Sequence, residues 1–314
     1  MPEFADIAIH TAFRVLGLMP RAGAVRIGNA IGRVWLAVDA KHRMIADANL
    51  SRAFGDEMTP ADRRRLVRRV FANIARIPFE IGWSLHITPR RFSRYFRVDG
   101  IEHLTRAAGR GRGVLVLTAH TGNWELLPLV FGMTTGAPSN IIYRPLDYPP
   151  MDRFLMALRA RYGAQMIPKA HSMRRVLRSL KAGELVGVLL DQNVDWYDGV
   201  FVPFFNDIAC TNRGLALLAA RTGAPVVPAF LVREGDGYRA IFEPEVPMER
   251  TGDKIRDLEA NTARCNRVIE GLIRRYPDQW FWVHQRWKTR PSQPWPRVPV
   301  APKPRRRRRR RRHR

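Results

Sequence analysis

The stretch "VLVLTAHTGNWELLPL", residues 114–129, passes from a short β-branched apolar run into a polar cluster and back into apolar residues. Five apolar or β-branched residues bounded by turn formers predict a buried strand over 114–118, and the apolar return predicts a helix over about 123–134. The same alternation recurs along the chain. Further strand-like runs fall at 139–143, 185–190, 225–232 and 238–243, with helical stretches near 150–162, 171–182, 211–222 and 253–275. Strands alternating with helices predict an α/β fold, a largely parallel central sheet flanked by helices.

In such a sheet, ligands gather beyond the carboxyl ends of the strands. His120 lies two residues after the 114–118 run, and Glu125 follows five residues later. With 28 acids among 314 residues and eight histidines, about one such pair arises by chance. The chain has two. His42–Asp47 in "KHRMIADANL" is the other, and it follows no strand. On a regular helix, five positions turn two side chains about 140° apart. The His120–Glu125 couple therefore requires His120 to sit in the turn before the helix, a turn that Thr121, Gly122 and Asn123 can make and cap. A histidine oriented by a carboxylate is a general base for a hydroxyl. No serine or cysteine stands beside it as a nucleophile, which favours direct attack by the acceptor over a covalent intermediate. Amides at the start of the following helix are candidates for stabilising an oxyanion.

The net charge is +26, and ten of those charges lie in the last twelve residues, leaving +16 on the rest. A body this basic implies an anionic partner: nucleic acid, an anionic membrane surface, an acidic carrier protein or a phosphorylated substrate. Two cysteines, Cys210 and Cys265, exclude a disulfide framework and offer no metal-ligand spacing. Cys210 reads as a small buried residue. Charges interrupt every N-terminal apolar run before the roughly 18 residues a span needs, and Glu3 and Asp6 stand where a secretory signal is basic. Residues 3–19 and 22–38 read as amphipathic helices, either packed on a core or lying in a membrane plane. The in-plane reading is the one adopted. Residues 41–95 stay helical, with breaks expected at Gly55, Pro60 and Pro78. The organisation is then 1–40 amphipathic membrane-associating helices, 41–97 a helical lead-in, 98–290 the α/β core, and 291–314 a Pro-rich linker and poly-Arg tail, expected to be disordered. "GRGRG" at 109–113 precedes a strand and reads as a tight turn, not a phosphate loop.

"TAHTGNWELL" resembles the first motif of the lipid A biosynthesis (lauroyl/myristoyl-type) acyltransferase family within the lysophospholipid acyltransferase superfamily: a histidine, four residues, then an acid. Similar segments follow in the family's order, namely "NLSRAF" at 49–54, "YRP" at 143–145, "LLDQN" and "GVFVPFF" within 189–205, "TGAPVVPAF" at 222–230 and "YPDQWFWVHQRWKTRP" at 276–291. The resemblance covers about residues 40–291. It implies transfer of a fatty acyl chain from an acyl thioester, usually of acyl carrier protein, to a hydroxyl of a membrane glycolipid, with His120 as base and Glu125 as its orienting partner. Arg144 takes the place of a basic residue that holds the acceptor's phosphate. Asp191 matches a family acid near the site, without an assigned role; it and Asn123 are grouped with the substrate-binding candidates. Read without the family, Arg144 is a strand-end surface charge and Asp191 caps a turn. Trp280, Trp282 and Trp287 either edge a lipid or pack in the core.

The expected partners are thus an acyl carrier protein or coenzyme A thioester, a membrane glycolipid acceptor and an anionic membrane surface at the cytoplasmic face of a bacterial inner membrane. No metal or cofactor beyond the thioester co-substrate is implied, and no specific nucleic acid is expected. The rival class, an anionic-polymer binding protein, explains the charge but not the ordered motifs. A nearer rival keeps the chemistry and changes the acceptor to a lysophospholipid or another membrane lipid.

Overall fold

In the computed structural model, residues 4–169 and 172–292 are described; the poly-Arg tail and most of the Pro-rich linker lie outside them. The chain opens with five helices, α1 (Phe4–Leu18), α2 (Arg21–Val38), α3 (Ala40–Phe54), α4 (Pro60–Ser84) and α5 (Pro89–Tyr95). Next come β1 (Phe96–Asp99), α6 (Ile101–Ala108), β2 (Val114–Thr118), a 3-10 turn over Trp124–Leu126 and α7 (Leu127–Thr134). The middle holds β3 (Ser139–Tyr143), α8 (Pro149–Arg161), β4 (Ala164–Pro168), α9 (Met173–Lys181) and β5 (Leu185–Leu189). A hairpin of β6 (Gly199–Phe204) and β7 (Asp207–Asn212) precedes α10 (Gly214–Thr222), β8 (Val226–Glu234), β9 (Gly237–Phe242) and α11 (Lys254–Arg275).

Seven strands form one sheet in the order β1-β9-β8-β2-β5-β3-β4. From β8 to β4 every pairing is parallel; β9 is antiparallel to β8, and β1 is parallel to β9. β6 and β7 pair only with each other. β2 sits in the middle and is buried along its whole length. Its residues alternate between the two faces: Leu115 and Leu117 join the apolar cluster with α3, α4, α10 and α11, while Val114 and Val116 join the cluster with α6 and α7. A strand covered on both sides has no polar face, which is why its sequence is a continuous apolar run.

Some expectations hold and others need correction. Pro78 does not break a helix: α4 runs through it to Ser84. Pro78 is on the exposed side, where water can satisfy the carbonyl that its missing amide leaves free. Pro60 is the first residue of α4, capped by Thr59, the position where a missing amide costs nothing. The helix expected from 211 starts at Gly214, because Thr211 and Asn212 close the β6–β7 hairpin. β1, β4, β6 and β7 are strands that the periodicity did not reveal. Trp280, Trp282 and Trp287 belong to the core, and Cys210 is buried within it.

The N-terminal helices pack on the core and keep an exposed apolar side. α1 packs through Phe13, which stacks on Phe154 of α8 with ring centroids 4.3 Å apart. α2 packs through Gly28 and Gly32 onto α4. Their outer sides nevertheless expose Phe4, Ile7, Val15 and Leu18 on α1 and Ile27, Ile31, Val34 and Val38 on α2. Among the described residues no helix is long and apolar enough to cross a membrane.

A methyl group on Gly32 would lie 2.6 Å from the Ala72 Cα, so the closeness of α2 to α4 depends on that glycine. Gly32→Val is expected to push α2 outward and destabilise the chain by about 1–3 kcal/mol, the usual cost of overpacking. A thermal midpoint that stays at the wild-type value would refute this account of the helix pair.

Candidate active site

Neighbouring parallel strands bring the two principal residues together. β2 and β5 are hydrogen-bonded side by side, Thr118 opposite Leu189, so the residues just past their carboxyl ends share one rim. His120 follows β2 and Asp191 follows β5. The imidazole Nδ1 lies 2.8 Å from Asp191 Oδ1, and the His120 backbone amide donates to Asp191 Oδ2 at 2.8 Å. The indole of Trp280 donates to the same Oδ2 at 2.7 Å.

Asp191 is 2 % exposed. Burial is the largest influence on its carboxyl and works against ionisation. It is outweighed by the charge of His120, by the hydrogen bonds from that residue's ring and amide, and by Trp280, which together hold the pKa at about 2. An ionised carboxylate only accepts, so Nδ1 carries the proton that faces it, which in the neutral ring leaves the lone pair on Nε2. The Gln192 amide nitrogen lies 3.3 Å from Nε2. The ring is bounded edge-on by Trp124, with centroids 5.0 Å apart, and by Phe281.

The turn that carries His120 is pinned from the C-terminal segment. Gly122 donates its amide to the Gln279 carbonyl, and Phe281 donates to the His120 carbonyl. Gly122 has φ +57°, and a Cβ there would sit 2.2 Å from the Leu231 carbonyl oxygen. Only glycine fits. Its amide being taken, it is not one of the oxyanion donors that the sequence suggested.

Glu125 makes no hydrogen bond to His120. A 3-10 turn, not a regular helix, carries it, and Arg159 of α8 holds both its oxygens, at 2.8 and 2.9 Å. The indole of Trp124 donates to Oε1 as well. Glu125 thus anchors α8 and a wall of the site, while Asp191 occupies the place expected for Glu125. Asp191, with its oxygens engaged by His120 and Trp280, supports the ring instead of presenting itself to a substrate. Asn123 is fully buried and makes no helix-capping bond; its amide donates to Glu80, which Arg233 in turn grips through two nitrogens. It braces the turn from within. Arg144 follows β3 on the same rim, with its side chain 80 % exposed and paired only with the still more exposed Asp147. His42, the spacing control, lies in the first turn of α3 and is held through its amide and ring by Asp39, the N-cap, and Asp47 pairs with Arg63. That pair is not a couple.

Sequence reasoning did not assign roles to Gln192, Trp280, Arg159, His284 or Arg286. Arg286 is fully buried and holds the carbonyls of Gln192 and Cys210 and the Thr211 hydroxyl. Burial pushes its guanidinium down to about 10, against the raising effect of Asp191, so it remains charged at neutral pH. His284 accepts the Asn193 amide through Nε2. Among the described residues no group of histidine, cysteine or acidic side chains could hold a metal ion.

Burial drives the His284 pKa down to about 4; the charge of Asp191 opposes this, while Arg286, His120 and Lys288 add to it. Between about pH 6.5 and pH 4 the unfolded chain therefore binds a proton that the folded one refuses, and stability falls as pH drops through that window. At pH 5 the loss relative to pH 7 is about 2 kcal/mol from this residue. His284→Gln, which keeps an acceptor for Asn193, should flatten that part of the denaturation profile; an unchanged acid slope would show that His284 is not its source.

Comparison with known proteins places this geometry. The family model of the bacterial lipid A biosynthesis acyltransferases matches residues 2–289. The chain is 30% identical over 306 residues to a lipid A biosynthesis lauroyltransferase of Escherichia coli, covering 93% of this chain and 97% of that one. It is 30% identical over 269 residues to a lipid A biosynthesis palmitoleoyltransferase of the same organism, covering 84% and 85%. A phosphatidylinositol mannoside acyltransferase of Mycolicibacterium smegmatis is 26% identical over 289 residues, covering 91% and 92%. With nearly its whole length matched and a histidine held ready on the rim of a parallel sheet, the chain belongs to the bacterial lipid A biosynthesis acyltransferase family, a family of acyl-transferring enzymes.

Proposed function

We propose that the protein moves a fatty acyl chain from a thioester, of acyl carrier protein or coenzyme A, to a hydroxyl of a lipid A-type membrane glycolipid, with His120 as general base. The observation that carries this reading is the His120–Asp191 pair, in which Nδ1 is committed to a buried carboxylate and Nε2 is left basic. Nε2 takes the acceptor's hydroxyl proton as its oxygen attacks the thioester carbonyl. The tetrahedral intermediate collapses to the ester, and the imidazolium returns the proton to the departing thiolate. Asp191 stabilises the imidazolium in between. Arg144, exposed at the rim beyond β3, suits an acceptor phosphate that a guanidinium grips with two donors.

The lipid A-type acceptor rests on the names of the two Escherichia coli relatives. The Mycolicibacterium smegmatis relative supports a second reading, in which the acceptor is another membrane lipid. Lipid mass spectrometry of cells with and without the gene separates the two, because the acceptor appears there short of one acyl chain. The exposed apolar sides of α1 and α2 support attachment to the cytoplasmic face of an inner membrane without a span.

His120→Ala is expected to lower kcat by about 10²–10⁴-fold, whereas His42→Ala leaves it unchanged. Asp191→Asn should lower kcat comparably with little change in KM. Three donors converge on Asp191 and an amide accepts through one oxygen only, so the ring loses its tautomer. Glu125→Gln should act through stability, because it leaves Arg159 buried without its counter-charge. An active His120→Ala enzyme would sink the mechanism.

Replacing Phe4, Leu18, Ile31 and Val34 by serine is expected to release the protein from vesicles while the thermal midpoint holds, since all four side chains are exposed. Full retention of the variant on vesicles would refute attachment by these helices.

A further inference from the structure

Between α2 and α4 lies a cleft of about 480 Å³, lined by four arginines, Arg33, Arg68, Arg69 and Arg76, and by one carboxylate, Asp278. The charges do not balance. Arg69 takes Asp278. Arg76, half-buried, finds only neutral amide oxygens: Asn29 Oδ1 at 2.6 and 2.9 Å, and Asn73 Oδ1 at 3.4 Å. Among the described residues, Arg33 and Arg68 have no hydrogen-bond or ion-pair partner. Each guanidinium carries five N–H donors, and both amide oxygens of the cleft are already taken by Arg76. The cleft is thus rich in donors, poor in acceptors and positive by three charges. Burial and the neighbouring charge of Arg233 both disfavour the charged form of Arg76, a cost that an entering anion offsets.

The local packing builds this arrangement. Gly28 lets α2 settle onto the Arg76 stem, where a Cβ would meet Cγ at 2.8 Å, and so brings Asn29 to the guanidinium. Asn73 also donates to the Asp278 carbonyl, which ties the cleft floor to the segment leading two residues on to Trp280 and Asp191.

We propose that this cleft binds a phosphate group, the tetrahedral, acceptor-only anion that matches several convergent guanidinium forks. It is separate from Arg144 and the His120 rim. α2 indicates where the phosphate comes from. At 100° per residue, Ile27, Ile31, Val34 and Val38 form one flank of α2, and Arg26, Asn29 and Arg33 form another about 140° away, with the packed glycine edge on the longer side, about 110° from each. If the apolar flank meets a bilayer, as the proposed attachment has it, the cleft faces away from it. The source assigned is therefore a soluble phosphate ester, not a lipid headgroup.

The test uses the full-length protein and Arg33→Gln/Arg68→Gln, two exposed positions with no partner to lose. The thermal midpoint is followed against inorganic phosphate at constant ionic strength. General salt effects and the poly-Arg tail act alike on both proteins. In parallel, each is partitioned onto phosphatidylglycerol and phosphatidylcholine vesicles. Wild type should show a saturable rise, and the double variant a midpoint dependence shifted to about tenfold higher phosphate or more. Vesicle partition unchanged in the variant supports the soluble source. Loss of phosphatidylglycerol binding together with the phosphate response refutes that source while supporting the cleft as a phosphate site. An equal response in both proteins, or none in the wild type, overturns the proposal, and neither result depends on the acyltransferase chemistry.

Discussion

A carboxylate taken almost wholly out of water must be surrounded by donors, and Asp191 collects three: the His120 ring, the His120 amide and the Trp280 indole. Hydrogen bonds to a charged group contribute about 1.5–3 kcal/mol each, comparable with the several kcal/mol that desolvation costs. The balance closes only when all three are in place. Those donors come from segments 71 and 89 residues away in sequence, so one side chain fixes the relation between the β2 turn, the β5 turn and the C-terminal segment. The rest of that segment follows. Asn49 bonds the Trp282 and His284 carbonyls, and Arg286 clamps Gln192 from behind.

Two further ion pairs carry the arrangement outward. Glu80 of α4 joins Arg233 of β8 and Asn123 of the turn that carries His120, and Glu125 joins Arg159 of α8. Buried pairs of this kind add little net stability, but removing one partner leaves the other charge stranded. Their effect is to exclude other placements of α4 and α8 against the rim. The helical lead-in is thereby part of the site's frame, because its longest helix supplies the residue that holds the turn.

The strand pattern was legible where apolar residues run together, as in β2, β5 and β8. It was illegible where the run is broken by composition: β6 contains Pro203, β4 ends in Pro168, and β7 is half polar in "DIACTN". His120 was legible too, because its position after a strand is a local fact. Its partner was not. Spacing along the chain pointed to Glu125, whereas the adjacency of β2 and β5 that delivers Asp191 is a property of sheet order, which no local pattern encodes. Arg159 gave no signal either, lying among other basic residues in a helix whose partners are set by packing.

The excess of arginine has the same lesson in another form. Composition invites the inference that a basic chain is basic toward a partner. Yet Arg159, Arg233 and Arg286 are turned inward, against Glu125, Glu80, and two carbonyls with a hydroxyl. Others, such as Arg63 and Arg239, are matched by Asp47 and Asp99. Among the basic side chains without such matches, position decides what they can do: Arg144 stands at the rim with only an exposed partner, and Arg33 and Arg68 stand over the α2–α4 cleft with none among the described residues. A long-range field from the whole charge can speed an encounter, but screening at about 8 Å under physiological salt leaves recognition to groups in contact. Recognition by this protein therefore follows from where the unmatched guanidinium groups stand, and net charge alone does not reveal that.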